Sequence, residues 1–239
     1  MRQIQLFRGP EHACSYLPGQ FSRSAYVDTR LKLDVPTYST LAGQGFRRSG
    51  DLVYRPHCNS CSACVPMRLP VARFFPNRSQ CRTLRINADL AIVPKPADFA
   101  EEHYRLFLCY LAARHDDGGM AGSSPQDYID FLGSSWAETR FVEFRLQGRL
   151  VSVAIVDLLA NGLSAVYTFF DPAYDERGLG TFAVLWQIEE ARRLGLDWLY
   201  LGYWIGACRK MNYKDKFRPI EAMIGDRWMP FEKGKKIDA

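Results

Sequence analysis

Three cysteines stand at two consecutive Cys-x-x-Cys spacings in the segment HCNSCSACVP, which begins at His57. They are Cys58, Cys61 and Cys64. Zinc and iron–sulfur sites both use thiolates at this spacing, because a turn of the chain can bring every third residue to one point. Three thiolates are one ligand short of a four-ligand site. The segment alone therefore leaves open a structural metal site, a redox-active pair of thiols and part of a larger binding site.

A second group of chemically active side chains lies in YLGYWIGACRKMNYKDKFRP, from Tyr200 to Pro219. Its cations are Arg209, Lys210, Lys214, Lys216 and Arg218, and its aromatic residues are Tyr200, Tyr203, Trp204, Tyr213 and Phe217. Interleaved cations and aromatic rings are typical of sites that bind splayed nucleotides, and the cations also suit capture of a carboxylate. The alternative is a basic surface helix whose aromatic residues lie in the core.

A glycine-containing segment, DERGLGT, follows a predicted strand and begins a predicted helix. Gly178 and Gly180 lack side chains where backbone amides and the positive end of a helix could face an anion. In acetyltransferases such a loop binds the pyrophosphate of CoA, but Asp175 and Glu176 beside it disfavour a polyphosphate here. We therefore expect either an acyl donor whose phosphates bind elsewhere or a plain turn into the helix.

Positive charge is concentrated in the first part of the chain. Residues 1–85 contain 13 Lys and Arg against 4 Asp and Glu, whereas residues 86–239 contain 18 against 22. A basic N-terminal part indicates an anionic partner, and nucleic acid is the commonest one because neutralised phosphates release counterions. The alternative is a solvated basic surface.

Composition and cysteine usage limit the class of protein. The 239 residues are 47% hydrophobic and 24% charged, as in an ordinary globular protein. An odd number of cysteines and first residues without an apolar segment argue against a secreted disulfide scaffold. The longest apolar run, from Leu150 to Ala160, contains Asp157 and is too short to span a bilayer. We therefore expect a cytoplasmic protein without a membrane segment.

The N-terminal part, residues 1–92, is predicted to be a small, basic, cysteine-containing domain. One short helix is expected from Val35, ending at Gly43 or Gly45, with short strands on either side of the cysteine segment. The segment VPKPADF, from Val93, has the composition of a linker.

Residues 93–239 are predicted to form a second domain with a recognisable order of elements. Apolar spacing predicts a helix over residues 97–115, and a second helix follows Ser124 as N-cap. Three strands in an antiparallel meander, the glycine segment, a helix ended by Gly195 and a further strand come next. This order predicts an α+β fold whose C-terminal domain is similar to the GCN5-related N-acetyltransferases.

The stretch from Tyr200 to Pro219 closely resembles the C-terminal motif of aminoacyl-tRNA–protein transferases of the arginyltransferase family. The matching positions are Tyr200, Gly202, Tyr203, Ile205, Cys208, Lys210, Met211, Tyr213, Lys214, Phe217 and Pro219. Two further segments, CSYLPGQFSRSAYVD and LAGQGFRRSGDLVYRPHCNSCSACVPMRLPV, resemble the N-terminal domain of that family. The resemblance covers residues 10–85 and 100–225, approximately.

The resemblance implies a specific activity. The chain is as compact as the bacterial branch of the family, which transfers leucine from leucyl-tRNA to proteins with an N-terminal Asp or Glu and so creates N-degrons. Transfer of arginine by the same machinery is the nearest alternative, and an acyl-CoA N-acetyltransferase is a further one. A non-enzymatic, zinc-dependent nucleic-acid binder would explain residues 1–85 only.

The implied reaction is aminolysis of the ester at the 3′ end of the tRNA, which is already activated and needs no cofactor for transfer. The catalytic candidates are Tyr167, Asp171, Tyr203 and Lys210. The substrate-binding candidates, mostly cations that suit an acidic N-terminus, are Arg23, Arg47, Tyr213, Lys214 and Arg218. Tyr167 and Asp171 are also explained as a core aromatic and a turn residue.

The resemblance also bears on the cysteines. Eukaryotic members have a Cys-Gly-Tyr-Cys element where this chain has Cys14-Ser15-Tyr16-Leu17, and they are reported to bind a metal or cluster in this region. With Cys14 as the fourth ligand, Cys58, Cys61 and Cys64 could hold zinc or an iron–sulfur cluster. The alternative is a cluster of free thiols that helps to shape the domain. In either case we expect a structural or regulatory role.

Overall fold

The computed structural model describes residues 4–114 and 122–232. The helices are α1 (Val35–Gly43), α2 (Arg78–Ile86), α3 (Glu101–Arg114), α4 (Pro125–Leu132) and α5 (Leu179–Arg193). The strands are β1 (Leu6–Arg8), β2 (His12–Ala13), β3 (Phe21–Ser22), β4 (Ser24–Val27), β5 (Arg47–Ser49), β6 (Leu52–Pro56), β7 (Val65–Pro70), β8 (Leu90–Pro96), β9 (Glu138–Leu146), β10 (Arg149–Leu159), β11 (Gly162–Phe170), β12 (Trp198–Trp204), β13 (Glu221–Ile224) and β14 (Arg227–Pro230). Together they form a mixed α/β fold with one large sheet.

The large sheet has eight strands in the order β14-β13-β7-β12-β11-β10-β9-β8. Only β11 and β12 are parallel neighbours in it; the other neighbours are antiparallel. Two parallel neighbours need a crossover, and α5 supplies it. A four-stranded sheet (β1-β4-β6-β5) and the β2-β3 pair lie in the N-terminal part.

The predicted meander is confirmed as β9, β10 and β11. Gln147 and Gly148, between β9 and β10, both have positive φ angles, of 49° and 85°. Two-residue hairpin turns of this kind match the twist of the strands that they join. Alternate residues of β10 point to opposite sides of the sheet: Val153 and Ile155 pack with α3 and α4, and Ala154 and Val156 pack with α5. The sheet therefore lies between two layers of helices.

The helix boundaries follow local capping chemistry. The Ser124 side chain accepts a hydrogen bond from the Asp127 backbone amide, and the Asp127 carboxylate accepts one from the Ser124 backbone amide. This capping box confirms the predicted start of α4. The predicted helix over 97–115 is α3, which begins at Glu101 and so starts later than expected; His115 lies outside the described residues. Gly195, with φ +69°, follows the end of α5 as expected.

The linker predicted from Val93 is wrong, because residues 93–96 belong to β8, which pairs with β9. β8 is the last strand of the sheet, and an edge strand tolerates the prolines Pro94 and Pro96 that suggested a linker. The predicted boundary between residues 92 and 93 lies within this strand. β7, from the N-terminal part, lies inside the same sheet.

Helix α2 was not predicted from the sequence. It begins with a capping box in which Asn77 accepts from the Gln80 backbone and Gln80 accepts from the Asn77 backbone. Only a narrow side of it is buried, since Gln80 is buried and Leu84 packs partly against the core. Within residues 4–114 and 122–232, no helix combines the length and the apolar composition needed to cross a membrane.

Candidate active site

A cavity opens where β11 and β12 separate. The two parallel strands pair only over Gly162–Ser164 and Trp198–Tyr200, although β11 continues to Phe170 and β12 to Trp204. The unpaired ends face a cavity of about 1390 Å³, which is also lined by the first turn of α5 and by residues 209–218. This volume exceeds the range of about 300–1,000 Å³ that is typical of sites for one small ligand.

Arg47 lies at the point where the two strands separate. Its guanidinium donates to the Ser164 hydroxyl at 2.9 Å, to the Tyr200 carbonyl at 3.3 Å and to the Ala165 carbonyl. Tyr200 is the last residue of β12 that pairs with β11, and Ala165 is the first residue of β11 beyond the paired segment. A buried carbonyl without a partner is costly. Arg47 thus satisfies the backbone that the cavity exposes.

Gly202 permits this arrangement. It has φ +75°, which side-chain-bearing residues rarely adopt, and a Cβ atom there would lie 3.3 Å from Nε of Arg47. The glycine of the motif therefore gives the guanidinium room beside β12.

The cavity is strongly cationic. The lining cations are Arg47, Arg48, Arg114, Arg209, Lys210, Lys214, Lys216 and Arg218, and the lining acids are Asp175 and Asp215. A concave surface lined mainly by one sign of charge attracts ligands of the other sign. The cavity is therefore suited to anionic substrates.

Most of the catalytic and substrate-binding candidates line this one cavity. They are Tyr167, Tyr203 and Lys210 from the first group, and Arg47, Tyr213, Lys214 and Arg218 from the second. The motif divides by environment: Tyr200, Ile205 and Phe217 are buried in the fold, whereas Lys210 and Tyr213 are exposed at the cavity.

Lys214 is the most unusual of these side chains, because it is a cation that is only 5% exposed. Its Nζ lies 3.6 Å from Sδ of Met211 and 4.8 Å from the centre of the Tyr213 ring. None of the ion pairs among residues 4–114 and 122–232 supplies it with a carboxylate. Burial, followed by the positive charge of Arg47, lowers the pKa of the Lys214 ammonium to about 7. A substrate carboxylate would supply the missing counter-charge.

The hydroxyl of Tyr203 is already engaged by the fold. It donates to the Gly45 carbonyl at 3.0 Å and lies 3.2 Å from the Tyr54 carbonyl. Burial raises the pKa of Tyr203 well above its ordinary value. This hydroxyl therefore stays neutral and holds the N-terminal part against β12.

Tyr167 packs among aromatic rings and also faces the cavity. Its ring centre lies 5.4 Å from that of Phe131 and 6.2 Å from that of Phe107. Burial raises the pKa of Tyr167 above its usual value, so the hydroxyl is a neutral hydrogen-bonding group at neutral pH.

Asp171 and Arg23 do not line the cavity. Asp171 caps the 3₁₀ helix Pro172–Arg177 by accepting from the Ala173 backbone, and it pairs with Arg149 at 2.8 Å. The Arg23 backbone carbonyl accepts hydrogen bonds from the His57 amide and the Cys58 thiol. In this structure Asp171 is committed to capping and ion pairing.

The four candidate metal-binding cysteines are free thiols that lie near one another without forming a ligand set. Burial, and then the neighbouring Cys58, Cys14 and Cys61, raise the pKa of Cys64 to about 12. Over the described ranges, no three His, Cys, Asp or Glu side chains are arranged to hold a metal ion. Zinc or an iron–sulfur cluster at Cys14, Cys58, Cys61 and Cys64 therefore stays a prediction.

The glycine segment forms a sharp entry into α5. Gly178 has φ +63° and is the N-cap residue, and Gly180 lies in the first turn. Both line the cavity, and Asp175 beside them forms an ion pair with Arg114. The negative charge of Asp175, which disfavours a polyphosphate, is therefore partly offset by the guanidinium of Arg114. Sequence reasoning missed this arginine.

Sequence reasoning also missed the contribution of α2 and of the residues before it. Phe75, Asn77, Ser79, Gln80 and Thr83 line the cavity. Gln80 donates to the carbonyl of Lys216 at 3.1 Å, which ties α2 to the cationic stretch. The Asn-x-x-Gln spacing of a capping box was the one local signal of this helix.

Two family models match the chain over most of its length. Residues 12–82 match the model described as "Arginine-tRNA-protein transferase, N terminus", and residues 102–224 match "Arginine-tRNA-protein transferase, C terminus". The chain belongs to the arginine-tRNA-protein transferase family.

Relatives within this family carry a more particular name. The chain is 49% identical over 229 residues to the "Aspartate/glutamate leucyltransferase" of Pseudomonas fluorescens (strain SBW25), with 96% of this chain and 97% of that protein covered. It is 52% identical over 228 residues to the protein of the same name from Marinobacter nauticus, with 95% and 96% covered.

Among solved structures, the chain is similar to FemX, with a TM-score of 0.44 and 9% sequence identity. The match covers 69% of this chain and 59% of FemX. A likeness at this level indicates nothing about activity.

Proposed function

We propose that the protein transfers leucine from leucyl-tRNA to the α-amine of proteins that begin with Asp or Glu. The observation that carries the proposal is the near-full-length identity of about 50% to proteins named aspartate/glutamate leucyltransferase. The cationic cavity supports it, because both substrates are anionic and the volume exceeds that of a single-ligand site.

The proposed fold of the C-terminal part is that of the GCN5-related N-acetyltransferases. Support comes from the parallel pair β11–β12, which separates into a cavity, and from α5, which begins at that opening. The division into an N-terminal cysteine-containing domain and an acyl-transfer domain stays a prediction.

The proposed chemistry is direct aminolysis. The neutral α-amine attacks the ester carbonyl carbon, a C–N bond forms, the ester C–O bond breaks, and the ribose hydroxyl leaves with a proton. The α-amine has an ordinary pKa of about 8, so a useful fraction is neutral near pH 7. The protein's main contribution is then to position the amine and the ester.

The proposed recognition of Asp or Glu uses cations of residues 210–218. Lys214 is buried and lacks a carboxylate partner in the part of the chain that the structure describes, so a substrate carboxylate can pair with it. Lys210 and Arg218 line the same cavity and are candidates for the other anionic groups. Tyr167, Tyr203, Tyr213 and Arg47 are proposed to shape the site, while Arg23 and Asp171 are proposed to act only through the fold.

The test is a transfer assay with a pool of charged tRNAs, acetyl-CoA and a peptide that begins with Asp, followed by mass analysis of the peptide. A leucyl adduct is expected. The matched control is the same peptide beginning with Asn, which replaces the carboxylate by an amide and should react poorly.

Other products would identify other activities. An arginyl adduct would support the alternative suggested by the family description. An acetyl adduct would reassign the chain to acyl-CoA chemistry, and no adduct would contradict the proposal. Zinc or an iron–sulfur cluster at Cys14, Cys58, Cys61 and Cys64 is a separate prediction, tested by metal analysis of protein purified without oxygen.

A further inference from the structure

Helix α2 presents a row of arginines that no part of the proposed chemistry uses. Arg78, Arg82 and Arg85 are exposed and stand four and three residues apart, so they lie on one side of the helix. We call this row the α2 basic face. The opposite side carries Gln80 and Leu84 toward the core.

The α2 basic face has no counter-charge of its own. Helix α2 contains no Asp or Glu, and no ion pair or hydrogen bond within residues 4–114 and 122–232 engages the side chains of Arg78, Arg82 or Arg85. Arg78 stands at the first helical position, where the helix dipole disfavours a cation. An arrangement that is unfavourable for the helix alone is a mark of a binding surface.

The α2 basic face belongs to a helix whose adjoining side borders the cavity. Asn77, Ser79 and Thr83 of the same segment line the cavity, and Gln80 is bonded to the backbone of Lys216 on its cationic wall. Phe75 lies just before α2, lines the cavity and is 79% exposed. An exposed aromatic ring among cations is typical of a platform on which bases stack.

We propose that the α2 basic face binds the phosphate backbone of the RNA that carries the acyl group, with Phe75 offering a stacking surface to its 3′ end. The inference rests on the proposed aminoacyl-tRNA donor. A phosphate backbone fits because it presents regularly spaced anions along a path that leads to the cavity, and guanidinium groups bind phosphates bidentately.

The experiment measures tRNA affinity against salt concentration for the wild-type protein and for the triple variant Arg78→Gln, Arg82→Gln, Arg85→Gln. Each lost phosphate contact should reduce the slope of log affinity against log salt by about 1, so the triple variant should lose about 2–3. Its affinity at low salt should fall at least tenfold.

A charge-matched control is the triple variant Arg30→Gln, Arg105→Gln, Arg140→Gln. These arginines are exposed, each pairs with a carboxylate nearby in sequence, and none lines the cavity. The control should keep the wild-type salt slope. Equal slopes for the wild type and the α2 variant, or equal losses in both variants, would overturn the inference.

A second donor separates this inference from the proposed function. Leucine esterified to a short CCA oligonucleotide reaches the cavity but not the α2 basic face. The α2 variant should use this donor as well as the wild type does, and should be impaired only with full-length leucyl-tRNA.

Two results would count against the inference in different ways. An α2 variant that shows a raised KM for the acidic peptide and an unchanged one for leucyl-tRNA would assign the surface to the protein substrate. A wild-type protein that uses neither donor would reject the proposed function, and the inference would fall with it.

Discussion

Lys210 and Lys214 belong to one motif but lie in different environments. Lys210 is exposed at the cavity, whereas Lys214 is 5% exposed and has a pKa lowered to about 7. Because that pKa falls within the working range of most proteins, the charge of Lys214 changes with modest changes in pH. If Lys214 pairs with the substrate carboxylate as proposed, its burial makes that recognition pH-dependent.

Discrimination between peptides that begin with Asp and with Asn should weaken as pH rises from 6 to 8.5. A lowered pKa leaves Lys214 protonated below about pH 7 and neutral above it, and only the ammonium pairs with a carboxylate. The measurement is the ratio of kcat/KM for the two peptides, in which the titration of the α-amine largely cancels.

The matched variant is Lys214→Arg, whose guanidinium stays charged throughout this range. Its ratio should not change with pH. A wild-type ratio that rises with pH would show that the neutral amine, and not the ammonium, is the active form.

The separation of β11 from β12 is the feature of the secondary-structure elements that makes the cavity. Arg47 bonds to both strands where they part, and Gly202 leaves space for its guanidinium. The cavity thus depends on an arginine from β5 and a glycine from β12, which lie far apart in the chain.

Gly202→Ala should lower both stability and transfer. A left-handed φ costs about 1–2 kcal/mol for a residue with a side chain. The new Cβ would also displace Arg47, whose hydrogen bonds contribute about 0.5–1.5 kcal/mol each. Urea unfolding and the transfer assay measure the two effects.

Gly195→Ala provides the control for this prediction. Gly195 has φ +69°, but no atom lies within 4 Å of the position that its Cβ would take. The Gly195→Ala variant should lose only the free energy of unfolding that corresponds to the cost of a left-handed φ, and it should keep its transfer activity. Equal losses at both glycines would mean that contact with Arg47 is unimportant.

At the scale of the whole molecule, a buried ion pair joins the N-terminal part to the large sheet. Nε and Nη2 of Arg48 each lie 2.7 Å from a carboxylate oxygen of Asp157 on β10, and both side chains are fully buried. Arg48 also donates to the carbonyls of Leu132 and Gly133 at the end of α4. One side chain thereby connects three regions of the fold.

Arg48→Met should destabilise the protein by about 3–5 kcal/mol, because it leaves the buried Asp157 carboxylate without a cation, although the Thr139 hydroxyl still donates to it. The double variant Arg48→Met, Asp157→Leu removes both charges and should recover part of the loss, because the Leu132 and Gly133 carbonyls still lack the hydrogen bonds that Arg48 donated. Urea unfolding measures both.

An exposed ion pair supplies the comparison. Arg105 pairs with Glu101 on the surface of α3, and Arg105→Gln should change stability by no more than about 1 kcal/mol. If Arg48→Met were as mild as Arg105→Gln, the buried pair would not hold the molecule together.

The elements with strong local signals could be predicted from the sequence. Ser124 with Pro125 marked the start of α4, Gly195 marked the end of α5, and the hairpin turn residues in QGR and ANG marked the meander. The segment from Tyr200 was also sufficient to identify the family. These features depend on neighbouring residues, whose chemistry is visible in the chain itself.

Only the tertiary structure decided which of these residues share a site. It brought Arg47, Lys214 and the first turn of α5 to one cavity, assigned Asp171 to a cap, and placed residues 93–96 in an edge strand. The cavity depends on which strands pair and where two of them part, and Arg47 bonds there to residues more than a hundred positions away. The edge strand likewise depends on the pairing of residues 93–96 with residues 140–143. Local propensity and spacing carry no information about such contacts, whereas burial and the surrounding charges set the ionisation of Lys214.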